Sequence, residues 1–332
     1  LTPAMRDSAK LAFSEASSSG SLLGGKKITV IEGDSTCVDS AAAQAAAEKL
    51  VADGVVAIMG ADCSGVTGAI ASNVAVPNGV AMISPSATSP GLTDLDDKGF
   101  FFRTAPSDAR GGQILADITK DRKIKSVAIT YTNNDYGKGL ADVYASAVKA
   151  HGIKVTTTAA HEDGKADYTA EVSTLASAGG DALVVIGYLD QGGKGIIQGS
   201  LDSGAFDTFI LSDGMIGDSL TDAFGKNLNK SFGSLPGSTG KGAGVFAKVA
   251  KAGGIDSSGP YTGESYDAAA LLVLAMQAGG SADRASIAKN VMSVANGPGK
   301  KIYPGELKKA LDLLANGKAV DYEGATGVSF TD

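Results

Sequence analysis

Residues 55–90 read VVAIMGADCSGVTGAIASNVAVPNGVAMISPSATSP, and this stretch decides the fold. It begins with an apolar run, Val55–Gly60, continues through a helical pattern, Val66–Val76, and returns to a second apolar run, Val80–Ile83. Short valine- and isoleucine-rich runs that alternate with helical patterns are typical of parallel strands covered by helices on both faces. The stretch therefore predicts a strand–helix–strand unit of an α/β sheet.

The same alternation extends over most of the chain and forms two series, the first ending near Thr104 and the second running from about Ala109 to Ser231. We expect two doubly wound parallel-sheet lobes, with residues 1–105 and 236–332 in lobe 1 and residues 106–235 in lobe 2. The predicted strands are Lys27–Glu32, Val55–Gly60, Val80–Ile83, Phe100–Thr104, Ser126–Tyr131, Lys154–Ala159, Asp181–Tyr188 and Phe209–Ser212, with an extended end at Gly324–Thr331. The predicted helices are Leu1–Ala16, Ser40–Asp53, Val66–Val76, Ala109–Lys120, Gly137–Ala150, Tyr168–Ala178, Gly193–Ser203, Asp218–Gly225, Ala243–Ala252, Gly263–Gly279, Asp283–Val294 and Gly305–Asn316.

Composition narrows the class of protein without naming an activity. The chain has 332 residues, 43% of them hydrophobic, and a net charge of −7. Because nucleic-acid binding needs clustered lysine and arginine, this charge argues against a nucleic-acid partner. No apolar run approaches the roughly 18–20 residues of a membrane span. The chain opens directly on a helical pattern rather than on a signal peptide, which fits either a cytosolic protein or a mature exported one.

Two loops follow predicted strands and carry hydroxyl residues: Asp62-Cys63-Ser64-Gly65 and Ser84-Pro85-Ser86-Ala87-Thr88-Ser89-Pro90. Ligands of open parallel sheets bind outside the carboxyl ends of the strands, where both loops are predicted to lie. Serine and threonine there are good helix N-caps, so hydroxyls, backbone N–H groups and positive helix ends would converge on one place. Such a place suits a small carboxylate and predicts binding of an amino-acid-like molecule without its transformation.

The sequence motifs of common catalytic and cofactor-binding sites are incomplete or absent. Gly240-Lys241 lacks the hydroxyl residue that a phosphate loop needs after its lysine, because Gly242 stands there. Neither a dinucleotide-binding glycine motif after a strand nor a nucleophile elbow occurs. His161, in the polar run His161-Glu162-Asp163, is expected to be solvated, which leaves little material for a triad. We expect no metal and no cofactor, and an enzyme is the weaker alternative.

The two cysteines, Cys37 and Cys63, are 26 positions apart. With only two histidines in the chain, a zinc site is not expected. The residues alone leave two alternatives open, a disulfide or two free thiols, and a disulfide would indicate an oxidising compartment.

Seven segments in this order resemble the type I periplasmic substrate-binding proteins of ABC importers, in the branched-chain (leucine/isoleucine/valine) class. The resemblance spans nearly the whole sequence, and its strength lies in the order of the segments together with the cysteine spacing. The segments are Gly60-Ala61-Asp62-Cys63-Ser64-Gly65, Met82-Ile83-Ser84-Pro85-Ser86-Ala87-Thr88-Ser89-Pro90, Phe102-Arg103-Thr104-Ala105, Asp135-Tyr136-Gly137-Lys138-Gly139, Gly187-Tyr188, Asp213-Gly214 and Ser258-Gly259-Pro260-Tyr261.

The resemblance implies a role for each matching position. Ser64 and Thr88 would hold the α-carboxylate of an amino acid. The backbone carbonyl of Ser86, beside Ala87, and the Thr88 hydroxyl would meet its α-ammonium, which Asp213 would neutralise. Aromatic residues would close over the ligand, and the two cysteines would form the family disulfide. The implied ligand-binding set is Asp62, Ser64, Ser86, Ala87, Thr88, Tyr136, Tyr188, Asp213 and Tyr261, and the implied disulfide is Cys37–Cys63.

Each of these positions also has a simpler interpretation. Ser64 and Thr88 could be helix N-caps and nothing more. Asp213 could be a solvated turn residue beside Gly214, and the three tyrosines could be ordinary surface or core aromatics.

The resemblance further implies a type I periplasmic binding protein fold with the ligand in the cleft between two hinged lobes. The implied function is delivery of an amino acid to an ABC transporter permease in the membrane, by a monomer that is periplasmic or, in a Gram-positive organism, extracellular and membrane-anchored. The main alternative is the ligand-sensing domain of a receptor with the same fold.

The sequence departs from the family pattern in two ways. The family's first strand and its C-terminal lobe 2 segment are absent, so we expect the working protein to be longer and the lobe 1 sheet to have a gap. Asp62 stands where a leucine-type pocket would have an apolar or small residue, and Glu264 lies one helical turn past Tyr261. If either acid faces the ligand, the ligand's side chain is polar or cationic, because a buried carboxylate needs a partner; otherwise both acids point to solvent.

Overall fold

The computed structural model describes residues 2–331, which form two compact α/β units. Unit 1 comprises Leu1–Ala87, Leu95–Ala105 and Gly237–Asp332, and unit 2 comprises Thr88–Asp94 and Pro106–Pro236. All strand pairs in both units are parallel, which confirms the predicted fold class.

Within the described residues, helices and strands alternate along most of the chain. The helices are α1 (Pro3–Ser18), α2 (Ser40–Ala52), α3 (Ser64–Ile70), α4 (Asp108–Asp121), α5 (Asp135–Ala150), α6 (Thr169–Ala178), α7 (Lys194–Ser203), α8 (Asp218–Phe224), α9 (Lys241–Ala252), α10 (Thr262–Ala278), α11 (Arg284–Ala295) and α12 (Leu307–Ala315). The strands are β1 (Ala57–Met59), β2 (Ala81–Ser84), β3 (Phe101–Arg103), β4 (Ser126–Thr132), β5 (Lys154–His161), β6 (Ala182–Ile186), β7 (Phe209–Leu211), β8 (Phe232–Gly233), β9 (Lys300–Ile302) and β10 (Val320–Tyr322).

Unit 1 is built around α10. Its sequence from Ala268 to Ala275 is apolar on every side, and a helix with that pattern belongs in a core rather than at a surface. Accordingly α10 is buried along nearly its whole length and packs against α1, α11, α12, β1 and β2. The parallel sheet β1-β2-β3 lies in this unit, and its central strand β2 is buried at every residue.

Unit 2 contains a five-stranded parallel sheet of order β5-β4-β6-β7-β8. Successive residues of β6 alternate between its two faces: Val184 and Ile186 pack with α4 and α5, while Leu183 and Val185 pack with α6, α7 and α8. Both faces are apolar, as expected for a parallel sheet covered on both sides. The strand order reverses between β4 and β6, and ligands of such sheets bind at that reversal.

The predicted strand Lys27–Glu32 is wrong. This segment of unit 1 is extended, but none of residues 29–34 makes a backbone–backbone hydrogen bond. Its side chains Val30 and Ile31 are each 43% exposed. Between this segment and β1 lies a cavity of about 700 Å³, lined also by Phe13 of α1 and Leu272 of α10. The segment has the composition of a strand without a neighbouring strand to pair with.

Amide hydrogen exchange can test this description of the unpaired segment. We expect the amides of residues 29–34 to exchange without measurable protection, because unpaired and exposed N–H groups need no opening step. The amides of β2, in the same unit, should be strongly protected. Equal protection of the two peptides in an exchange experiment read by mass spectrometry would contradict the structure of this segment.

Three smaller differences concern element boundaries. The helix predicted at Val66–Val76 begins earlier, at Ser64, and continues as a wider π-helical turn over Ala71–Ala75. The chain end predicted as extended at Gly324–Thr331 begins with a turn, and the strand β10 precedes it. The short strands β8 and β9 were not predicted, because two or three residues carry too little periodic pattern.

Candidate functional site

In unit 1, the side chain of Ser84 joins by hydrogen bonds the two hydroxyl-rich loops that follow β1 and β2. It is the last residue of β2 and is fully buried. Its hydroxyl donates to the Ala61 carbonyl at 2.6 Å and accepts from the backbone N–H of Ala87 at 3.1 Å. One side chain therefore fixes the loop after β1 against the loop after β2. The sequence analysis gave Ser84 no role, although its place at the end of a buried strand was a usable signal.

The same two loops are joined a second time by Ser86 and Asp62. The Ser86 hydroxyl lies 2.7 Å from Oδ1 of Asp62 and 3.1 Å from the Asp62 carbonyl. Ser86 is buried and Asp62 is half-buried. A carboxylate and a hydroxyl thus stand together at the carboxyl edge of the unit 1 sheet.

Ser64 and the two cysteines lie in the loop after β1. Ser64 is 2% exposed and is the first residue of α3, so the N-cap position belongs to Cys63 rather than to Ser64. The predicted pairing of Cys37 with Cys63 is confirmed, with Cα atoms 5.3 Å apart. The disulfide ties the bend that precedes α2 to the loop that carries Ser64.

Tyr261 and Glu264 begin α10 in unit 1. Tyr261 is the N-cap residue, is 7% exposed and has a φ of +56°, a left-handed conformation that aromatic residues rarely adopt. Glu264 is also 7% exposed, and its backbone carbonyl accepts from the Thr104 hydroxyl at 2.9 Å. Burial, with a smaller contribution from the charge of Asp267, raises the pKa of Glu264 to about 7. Glu264 therefore does not point to bulk solvent.

Thr88 follows Ala87 directly but belongs to unit 2, where its carbonyl accepts from the backbone N–H of Asp108 at 2.9 Å. The Thr88 side chain is 1% exposed, and its hydroxyl has no hydrogen-bond partner among residues 2–331. It is not an N-cap, because Ser89 precedes the short helical turn that follows. A buried hydroxyl without a partner is rare, so this one is available to a bound molecule.

Tyr136, Ser212 and Asp213 form a compact polar cluster in unit 2. The Tyr136 hydroxyl donates to Oδ1 of Asp213 at 2.6 Å and lies 2.9 Å from the Ser212 hydroxyl. Burial, followed by the negative charge of Asp213, raises the pKa of Tyr136 well above its ordinary value. Tyr136 therefore stays a proton donor, and Asp213, at 9% exposure, is held in place rather than being a solvated turn residue.

Tyr188 completes this cluster from the end of β6. Its ring stacks on that of Tyr136 with centroids 5.1 Å apart and planes 21° from parallel. Gly214 allows the close approach, since a Cβ there would lie 2.5 Å from the Gly187 carbonyl oxygen and 3.1 Å from the Tyr136 hydroxyl. The carboxyl ends of β4, β6 and β7 thus bring together two aromatic rings and one acid. Ser212 was missed by the sequence analysis, although it directly precedes Asp213.

His161 is not solvated as expected. It is the last residue of β5, is 2% exposed, and its Nδ1 lies 2.8 Å from the Thr130 hydroxyl. Burial lowers its pKa to about 4, so it is neutral at physiological pH. The polar neighbours Glu162 and Asp163 suggested a loop, but the strand continues two residues further than predicted, to His161, and the imidazole is buried.

Unit 1 therefore contains Asp62, Ser64, Ser86, Ala87 and Tyr261, and unit 2 contains Thr88, Tyr136, Tyr188 and Asp213. These groups can donate hydrogen bonds to a carboxylate, accept from an ammonium and cover apolar surface. Residues 2–331 include no group of three or more histidine, cysteine, aspartate or glutamate side chains arranged to hold a metal ion. In the same residues, no helix is both long enough and apolar enough to cross a bilayer.

Comparison with known proteins identifies the family of the chain and several similar proteins. The family model described as "Periplasmic binding protein" matches residues 1–303. Leu/Ile/Val-binding protein homolog 1 of Brucella melitensis biotype 1 is 32% identical over 287 residues, covering 85% of this chain and 75% of the relative. The chemotactic signal transduction system substrate-binding protein BasB of Halobacterium salinarum is 27% identical over 323 residues, covering 94% of this chain and 75% of the relative.

One solved structure combines a similar fold with a bound amino acid. The branched-chain amino acid transporter substrate binding protein LivJ from Streptococcus pneumoniae, in complex with isoleucine, is 25% identical with a TM-score of 0.75. The match covers 89% of this chain and 84% of that structure.

Proposed function

Because the chain belongs to the periplasmic binding protein family, we propose that it binds an amino acid and delivers it to the permease of an ABC transporter. The relatives support this choice of ligand and partner. One is named as a Leu/Ile/Val-binding protein homolog, and another is a transporter's substrate-binding protein in complex with isoleucine.

The single observation that carries the proposal is the pair formed by Asp213 and Tyr136. A buried carboxylate is tolerated only when it is hydrogen-bonded or paired with a cation. Tyr136 donates one hydrogen bond to Oδ1 of Asp213. The α-ammonium of an amino acid would donate a further, charge-assisted hydrogen bond to this carboxylate. The stacked rings of Tyr136 and Tyr188 would cover the ligand with stiff, apolar surface.

Hydroxyl groups of the protein are assigned to bind the α-carboxylate end of the ligand. Ser64 and Thr88 would donate to the α-carboxylate, and the backbone carbonyl of Ser86 would accept from the ammonium together with Asp213. The unpartnered hydroxyl of Thr88 supports this assignment, because a carboxylate oxygen would give it the partner that it lacks among the described residues. Charge-assisted hydrogen bonds of this kind are stronger than neutral ones.

The proposed location is the periplasm or the extracellular side of the membrane. The disulfide between Cys37 and Cys63 supports this location, because such bonds persist in oxidising compartments and are rare in the cytosol. A monomer is the proposed working form.

A ligand sensor is the second candidate, and one relative supports it. BasB is a substrate-binding protein of a chemotactic system. Its identity of 27% is below the 32% of the Brucella Leu/Ile/Val-binding protein homolog, so we place transport first. Reconstituted ATPase activity of a partner transporter that rises on adding the loaded protein would support transport.

A thermal-shift screen tests the proposed ligand class. The purified protein is melted alone and with each of the twenty amino acids, with simple amines and simple carboxylic acids as controls. A ligand that binds only the native state raises the melting temperature, by an amount that grows with its concentration over Kd. We expect the melting temperature to rise with amino acids of one chemical class and to stay unchanged with the control amines and carboxylic acids. No rise with any amino acid would contradict the proposed function.

A further inference from the structure

Ser212 lies in unit 2, between the end of β7 and Asp213, and is only 1% exposed. Its backbone is held on both sides without help from its side chain. The Ser212 N–H donates to the Val185 carbonyl at 3.2 Å, and the Ser212 carbonyl accepts from the Met215 N–H at 3.0 Å. The contacts of its buried hydroxyl therefore need an explanation other than the course of the chain.

The Ser212 hydroxyl connects two strand ends to Tyr136. Its oxygen accepts from the backbone N–H of Gly187, directly after β6, at 3.3 Å. The same oxygen lies 2.9 Å from the hydroxyl oxygen of Tyr136, the second residue of α5. Because α5 follows β4, groups from the carboxyl ends of β4, β6 and β7 meet at this one hydroxyl.

The distances fix the direction of the hydrogen bond between the two hydroxyls. Tyr136 has a single hydroxyl proton, which it can donate to only one of its two oxygen neighbours. Its contact of 2.6 Å with Oδ1 of Asp213 is the shorter, as expected when the acceptor is a carboxylate. The Tyr136 proton therefore points to Asp213, and Ser212 is the donor across the contact of 2.9 Å.

A second donor reaches the same tyrosine oxygen. The backbone N–H of Gly214 donates to it at 3.2 Å. The Tyr136 oxygen thus accepts from Gly214 and Ser212 and donates to Asp213. The hydrogen bonds run in one direction, from backbone N–H groups through two hydroxyls to the carboxylate. Each bond in such a chain polarises and strengthens the next.

We propose that Ser212 is a positioning residue for recognition of the ligand's ammonium group. It acts through Tyr136: it holds the Tyr136 hydroxyl with its proton toward Asp213, and the carboxylate is thereby kept in its binding orientation. The inference rests on the proposed function, in which Asp213 binds that ammonium.

The physical reason is that side chains ordered before binding do not have to be ordered by the ligand. Ordering side chains on binding reduces affinity. With a donor from Ser212 on one side and the Asp213 carboxylate on the other, the Tyr136 proton has one favourable direction. Without the serine hydroxyl this direction is less strongly preferred, and part of the cost of ordering Asp213 falls on the ligand.

The test is a double-mutant cycle on Ser212 and Tyr136, measured by isothermal titration calorimetry with the best amino acid of the thermal screen. Ser212→Ala should raise Kd about threefold to tenfold, the range for one neutral hydrogen bond. Tyr136→Phe removes only the hydroxyl of the ring. In that background Ser212→Ala should change Kd by less than about twofold, because the group through which Ser212 acts is gone.

Two outcomes of the cycle would overturn the inference. An equal loss of affinity in both backgrounds would mean that Ser212 supports the site by some other route than Tyr136. Wild-type affinity in the single variant Ser212→Ala would mean that it has no part in binding.

The matched control is Ser200→Ala in the same unit. Ser200 lies on α7, is fully buried, and donates to the Ile196 carbonyl at 2.8 Å. This variant should keep the wild-type Kd, and thermal unfolding shows whether each variant is folded. A loss of affinity as large as that of Ser212→Ala would mean that removing any buried serine hydroxyl has this effect, which would overturn the inference.

The outcomes also separate this inference from the proposed function. Amino-acid binding by the wild type together with an additive cycle would overturn the role of Ser212 and leave the proposed function intact. Binding of no amino acid by the wild type would overturn both.

Discussion

Replacing Asp213 with alanine should weaken amino-acid binding by about 3–5 kcal/mol. A loss of this size would make binding undetectable in most assays. The reason is that the ammonium of the ligand would be buried without its countercharge. The hydrogen bond of 2.6 Å from Tyr136 shows that the carboxylate is already held in place before any ligand arrives. Isothermal titration calorimetry with the best ligand of the thermal screen gives the loss directly.

The matched control for this variant is Asp207→Ala in the same unit. Asp207 is exposed and pairs with Lys230 on the surface, so its loss should leave Kd unchanged within error. Thermal unfolding of both variants separates lost binding from lost folding. Wild-type affinity in a folded Asp213→Ala protein would remove Asp213 from the site.

Replacing Asp267 with alanine should destabilise the protein by about 4 kcal/mol without involving ligand at all. Asp267 lies on α10 and is fully buried. Its two oxygens accept from the Tyr322 hydroxyl, from the backbone N–H groups of Ala325 and Thr326, and from the Thr326 hydroxyl, all within 3.0 Å. Without the carboxylate, four donors are left buried and unpaired. Urea unfolding of the ligand-free protein measures the difference.

The graded control is Tyr322→Phe, which removes one of the four donors and keeps the acceptor. We expect a loss of about 1 kcal/mol, the usual value for one hydrogen bond. If Asp267→Ala destabilised no more than Tyr322→Phe, the carboxylate would not be holding the chain segment after β10 to α10.

The sequence allowed most of the fold to be predicted because its core strands are apolar on both faces. β6 reads ALVVI and β2 reads AMIS, and a run of this kind between helical patterns has few other interpretations. The prediction was wrong at Lys27–Glu32, whose residues have strand propensity. Pairing is a property of the neighbouring chain rather than of the segment itself, so propensity could not reveal that this segment lacks a partner.

The sequence indicated the positions of the candidate site but not the contacts that these residues make. Hydroxyl residues in the loops after apolar runs indicated Ser64 and Thr88, because ligands of parallel sheets bind outside the carboxyl ends of the strands. The family resemblance, rather than this pattern, indicated Asp213. The burial of Glu264 and His161 could not be seen, since both lie in polar local sequence and are enclosed by residues distant in the chain. The roles of the site residues stay predictions.

The central claim is that the protein recognises both charged groups of an amino acid. Calorimetric titration with the best amino acid, with its deaminated acid and with its decarboxylated amine tests this claim most directly. We expect the amino acid to bind and each analogue to bind at least about 100-fold more weakly, because each leaves one buried partner unpaired. Binding of either analogue as tightly as the amino acid would contradict the account.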